Sequence, residues 1–123
     1  MKKRFIVMAA ALAVLCWAGA APAADMSGSW CRNVGGTVGD IITLTPKGAV
    51  STVELKEGWN KPVYSAGVGS AAGNIFTATL KSKATPAVIV HAVMKISGNS
   101  LSYDSYNLDG TFRWKGDYSR CSR

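Results

Sequence analysis

After its first two dozen residues the chain alternates. Short runs place apolar side chains at every second position, the period of a strand with one buried face. The runs predict strands over 28–33, 38–45, 49–56, 62–68, 74–81, 87–97, 100–107 and 111–121. Turn-forming residues separate them: Gly35-Gly36, Pro46-Lys47-Gly48, Gly58-Trp59-Asn60, Gly69 to Gly73, Thr85-Pro86, Gly98-Asn99 and Asp109-Gly110. Gly98-Asn99 and Asp109-Gly110 suit tight hairpins because these residues tolerate positive φ. No helical period follows residue 25. The expectation is an all-β fold of about eight antiparallel strands in an up-and-down meander, closing into a small barrel or, less simply, a sandwich.

Alternation assigns faces. Val88, Val90, Ala92, Met94 and Ile96 share one face of their strand, with His91 and Lys95 on the other. Phe76, Ala78 and Leu80 oppose Thr77, Thr79 and Lys81. In the last strand Phe112, Trp114, Gly116, Tyr118 and Arg120 fall on the face expected to point inward. Arg113 and Lys115 fall on the other, since successive side chains in a strand point to opposite sides.

The ends of this domain carry Cys31 and Cys121. If Trp30 points inward, Cys31 points outward; if Arg120 lies on the inner face, Cys121 also points outward. Two cysteines on one side of the sheet can meet the short Cβ separation that a disulfide demands. Their pairing sets the first strand antiparallel to the last, closes the barrel and brings Trp30 and Arg120 together inside, in cation–π contact. A bridge across a loop of about 90 residues is worth about 4–5 kcal/mol in the chain-entropy treatment. A metal site is not expected, because His91 is the one histidine and a third sulfur is missing from the domain.

The first residues read differently. Lys2, Lys3 and Arg4 precede a continuously apolar stretch, Phe5 to Ala18, followed by Ala21-Pro22-Ala23-Ala24. A basic start, an apolar run too short to span a bilayer and small residues at a cleavage position predict a signal peptide over 1–24, cut after Ala23 or Ala24. The expected mature domain is 25–123, periplasmic or secreted, with no stable membrane insertion. Cys16 leaves with the leader, and Leu15 before it does not fit a lipoprotein signal. The full chain has 14 Lys and Arg against 7 Asp and Glu. Losing the three basic leader residues leaves 11 against 7, a net charge of +4, too mild for a nucleic-acid partner.

The opening Gly28-Ser29-Trp30 together with Arg120 resembles the calycin superfamily of lipocalins, fatty-acid-binding proteins, avidins and bacterial protease inhibitors. The resemblance implies a closed barrel in which a basic residue of the last strand packs across the first strand's indole, with Gly28 and Arg120 as structural residues. Gly28 to Gly35 is also similar to an avidin first strand and loop, but Arg32 and Gly36 stand where biotin-binding Asn and Ser would be, so biotin is not the expected ligand. At most about four residues precede Gly28 after cleavage, too few for an inhibitor trunk.

Catalytic chemistry is sparse. His91 falls on the outer face, the segment 67–73 lacks dinucleotide-loop spacing, and Asp104, Asp109 and Asp117 form no evident acid–base pair. No enzyme activity and no cofactor are expected. The aromatic residues Trp30, Tyr64, Phe76, Tyr103, Trp114 and Tyr118, with Phe112, all fall on inner faces. They either fill the barrel or line a pocket for a small apolar or aromatic ligand. Trp59, in a loop between charged residues, is a candidate lid or a contact for an envelope protein partner. The two functions expected are therefore small-ligand binding within a barrel and, as the alternative, protein interaction through exposed loops.

Overall fold

A computed structural model describes residues 26–122; the predicted leader lies outside the described residues. The eight strands are β1 (Gly28–Val34), β2 (Thr37–Lys47), β3 (Val50–Lys56), β4 (Val63–Ala72), β5 (Ile75–Ser82), β6 (Ile89–Ser97), β7 (Ser100–Asn107) and β8 (Phe112–Arg120). Each pairs antiparallel with the next, and β8 returns to β1, so the sheet closes into a barrel. Among the described residues no helix is long and apolar enough to cross a membrane.

The alternation translates into burial along most strands. Phe76, Ala78 and Leu80 are buried while Thr77, Thr79 and Lys81 are exposed, and β6 repeats the pattern from Val90 to Ile96. Trp30, Ile42, Phe76, Met94 and Leu101 are each at most 1% exposed and belong to one core cluster. Burying side chains of this size contributes about 1.5–3 kcal/mol apiece.

The strand bounds differ most at β4. The sequence suggests that Gly69 to Gly73 is a hairpin, but the strand continues through Ala72, pairing Gly67 with Leu80 and Gly69 with Ala78. The reason is a close approach of backbones. A Cβ on Gly67 would overlap the Thr79 carbonyl, and one on Gly69 the Thr77 carbonyl. Glycine lets the sheet curl tightly here, as barrel closure requires. Gly98-Asn99 forms the two-residue β6–β7 link, whereas Asp109-Gly110 sits within a four-residue link, 108–111. There Asp109 accepts hydrogen bonds from the amide and hydroxyl of Thr111, which hold its carboxyl below the ordinary range.

One end of the barrel is plugged. The Arg120 guanidinium carbon lies 3.9 Å from the centre of the Trp30 ring. The guanidinium also donates to the Ser27 carbonyl. The Trp30 indole N–H donates to the Met26 carbonyl at 3.1 Å, and Met26 is buried. Gly28 has φ +104°, in the region glycine favours, and a Cβ there would press against Arg120 at 3.3 Å.

The β1–β8 seam is short, with Trp30 facing Arg120 and Cys31 facing Ser119. A Cys31–Cys121 disulfide spans it on the outer side, with the Cα atoms 5.0 Å apart. Such a bond fits a location outside the cytoplasm. Ile41, opposite Cys31 in register, is buried on the same outer side. Trp59 is half-buried there: it borders a recess of about 70 Å³ shared with Asn33, Val38, Ser119 and the disulfide.

Candidate open-end binding site

The end opposite the Trp30–Arg120 plug carries the links 35–36, 57–62, 83–88 and 108–111. Three strand pairings slip near it: β1–β2, where Gly39 is extra between Val38 and Asp40, and the two that shape the cavity. In β3–β4 the register steps from Leu55 opposite Ser65 to Lys56 opposite Val63, leaving Tyr64 as an extra residue. In β7–β8 it steps from Ser105 opposite Trp114 to Tyr106 opposite Phe112, leaving Arg113 extra. A bulge breaks strict alternation and re-aims side chains. Consecutive residues, Tyr64 with Ser65 and Arg113 with Trp114, therefore line one cavity.

The second bulge corrects the face assigned to two residues. Phe112 does not point inward: it is 57% exposed, and its ring meets that of Tyr106 at 6.0 Å. Arg113, expected on the outer face, contributes to the cavity instead.

The cavity has a volume of about 360 Å³. Leu55, Leu80 and Val90 supply its apolar part, Tyr64, Tyr103 and Trp114 its aromatic part, and Ser65, Ser105 and Arg113 its polar part. The Trp114 ring lies across Gly116, where any Cβ would overlap the indole. Its other neighbours are Tyr103, with ring centres 5.7 Å apart, and Arg32, whose guanidinium carbon is 5.1 Å from the indole centre. The indole thus packs against Gly116, Tyr103 and Arg32 and stays 36% exposed at the mouth.

Beside this wall lies a buried acid. Asp40, 7% exposed, accepts hydrogen bonds from Tyr64 at 2.9 Å on Oδ1 and from Tyr118 at 2.6 Å on Oδ2. Burial, and after it Asp40, raises both phenols well above their ordinary pKa of about 10. Burial likewise pushes Tyr103 up to about 12. All three remain neutral at physiological pH. The buried side-chain polar atoms of the described residues all have hydrogen-bond partners.

The aromatic residues singled out by sequence separate into four groups. Tyr64, Tyr103 and Trp114 line the open cavity. Tyr118 supports it through Asp40 and meets Tyr103 edge-on at 6.2 Å. Trp30 and Phe76 lie in the packed core, each at most 1% exposed. Trp59 stands apart, on the outer face beside the disulfide. His91 is exposed on the outer face, its Nδ1 3.3 Å from the Thr79 hydroxyl. Among the described residues no three His, Cys, Asp or Glu side chains converge as a metal site.

Sequence reasoning missed Arg32, Asp40, Ser65, Ser105 and Arg113. Two of these had a signal: Asp40 falls in step with Ile42 and Leu44, and Ser105 with Leu101 and Tyr103. A polar residue in an apolar series marks a buried group that needs partners. The place of Arg113 at the cavity had none, because the bulge creates it. Comparison of the chain with protein-family models, curated proteins and solved structures finds no match.

Proposed function

We propose that this chain is an exported, non-enzymatic binding protein that holds a small, partly apolar molecule in the open end of a calycin-like barrel, in the periplasm or outside the cell. The observation that carries the proposal is the contrast between the two barrel ends. One is filled by Trp30, Met26 and Arg120; the other opens into a cavity of about 360 Å³ with apolar, aromatic and hydroxyl-bearing walls. A concave site of that size and composition suits a small organic ligand held by apolar contact and oriented by a few hydrogen bonds. The signal-like leader and the disulfide support export.

Two measurements test this reading. Native mass spectrometry of protein purified from the periplasm should find a small molecule retained at one per chain. The fluorescent probe phenylnaphthylamine should bind, and Trp114→Ala should weaken that binding at least about tenfold by removing the aromatic wall. A mature protein that retains nothing and does not bind the probe would defeat the proposal.

A second reading rests on the rim. Val34, Leu108 and Phe112, at the open end, are 52%, 60% and 57% exposed. Several exposed apolar side chains at one end of the barrel favour protein contact. An envelope partner that dissociates when Phe112 becomes Ser, with probe binding intact, would support an interaction module in place of a ligand carrier.

A further inference from the structure

The charges around the cavity narrow the class of ligand. Arg113 is the one charged side chain among the residues that line it; of the hydroxyls there, those of Tyr64, Ser65 and Ser105 already donate to Asp40, the Lys81 carbonyl and the Trp114 carbonyl. A second guanidinium, that of Arg32, lies against the same Trp114 indole. Neither arginine forms an ion pair among the described residues. Arg113 donates to the Asn107 side-chain oxygen at 3.3 Å, which leaves most of its N–H donors available.

The acidic groups nearby are otherwise engaged or exposed. Asp40 is opposite Arg32 in register, but each of its oxygens accepts from a tyrosine. Asp109 is tied to Thr111 within its turn. Glu57 is exposed on the rim, where water and salt screen it. A cation entering the cavity would meet Arg113 and gain no carboxylate partner. An anion would find planar N–H forks, the donor geometry suited to carboxylate, sulfonate or phosphate oxygens.

We infer that the molecule held in the open end is a small organic anion. Its acidic group is met by Arg113, the charged side chain that lines the cavity, and its apolar body lies against Trp114, Tyr103 and the Leu55–Leu80–Val90 wall. The inference rests on the binding function proposed above and specifies its ligand class. Arg32, against the indole, adds positive charge beside the cavity without lining it.

Two probes of one skeleton separate the claims. Phenylnaphthylamine is uncharged; anilinonaphthalene sulfonate adds a single anionic group. At low ionic strength the sulfonate should bind at least about tenfold more tightly, the scale of charge-assisted hydrogen bonds. The two should compete for one site. Arg113→Gln, at an exposed position, should reduce the advantage to about threefold or less, and Arg113→Lys should keep part of it. Added salt should shrink it as well. Binding of the uncharged probe should respond less to each of these changes than binding of the sulfonate. Equal affinities for the two probes, or an advantage that survives both Arg113→Gln and Arg32→Gln, would overturn the anion inference while leaving the pocket intact. Failure of both probes to bind would overturn the pocket itself, and the anion inference with it.

Discussion

Replacing Cys31 and Cys121 with serine tests how the barrel is held shut. The bridge closes a loop with a sequence separation of 90 residues. Removing it frees the unfolded chain, and the chain-entropy relation puts the loss at about 4–5 kcal/mol. A domain of this size is stable by only about 5–15 kcal/mol in total. The effect should therefore be large, lowering the thermal midpoint by roughly 20–35 °C for a chain of about 100 residues. The seam has little else to compensate. Only two residue pairs face each other across β1 and β8, Trp30 with Arg120 and Cys31 with Ser119. Beside the bond stand the Arg120–Trp30 and Arg32–Trp114 contacts, the Arg120 hydrogen bond to the Ser27 carbonyl and the Cys121 amide on the Ser29 carbonyl, at 3.1 Å. Urea unfolding followed by tryptophan fluorescence should show the double variant losing about 4–5 kcal/mol relative to the oxidised protein. Reduced wild-type protein should coincide with the variant. A loss under about 1 kcal/mol, with an unchanged denaturant slope, would refute the argument that this bond staples the barrel.

Other expectations follow from the open end. Tyr118→Phe removes the donor to Asp40 Oδ2 and should cost about 1.5–3 kcal/mol in urea unfolding, the range for hydrogen bonds to charged groups; a cost below about 0.5 kcal/mol would show the contact to be idle. Gly116→Ala forces the Trp114 indole from its place, so it should cost about 1–3 kcal/mol, shift the tryptophan emission and weaken phenylnaphthylamine binding; an unshifted emission spectrum would contradict the packing described. The raised phenols predict an alkaline limit. Because the fold favours the neutral form of Tyr64, Tyr103 and Tyr118, their contribution is fully present below the unfolded pKa of about 10 and is lost as pH climbs from there towards the folded values. The urea midpoint should accordingly fall above about pH 10. Absorbance titration of the folded protein with all tyrosines ionising together near pH 10 would argue against that burial. His91→Ala, on the exposed face, should change stability by no more than about 0.5 kcal/mol and leave probe binding unaltered.

Strand number, strand order and closure were legible because they depend on local periods and on one long-range pair. A period of two, interrupted by Gly, Pro, Asn and Asp, identifies eight strands. The facing of Trp30 and Cys31 at one end, and of Arg120 and Cys121 at the other, is enough to bring β1 beside β8. These features follow from which side chains must leave water and from how short the links are. The signal-like leader is also a pattern of composition along the chain, although it lies outside the described residues.

The character of the open end was not legible in the same way. Alternation carries a face assignment along a strand only while the pairing stays regular, and the β3–β4 and β7–β8 pairings slip by one residue near the mouth. Those slips bring Arg113 to the cavity, turn Phe112 out and let Tyr64 and Ser65 face inward together. The place of Trp59 beside the disulfide depends likewise on how the 57–62 loop folds back, which no period encodes. The sequence by itself determined the eight strands and their up-and-down order, with a sandwich left open beside the closed barrel that the structure shows. Only the tertiary structure decided which end stays open and what chemistry lines it, because bulges and loop packing respond to neighbouring strands rather than to the residues beside them in the chain.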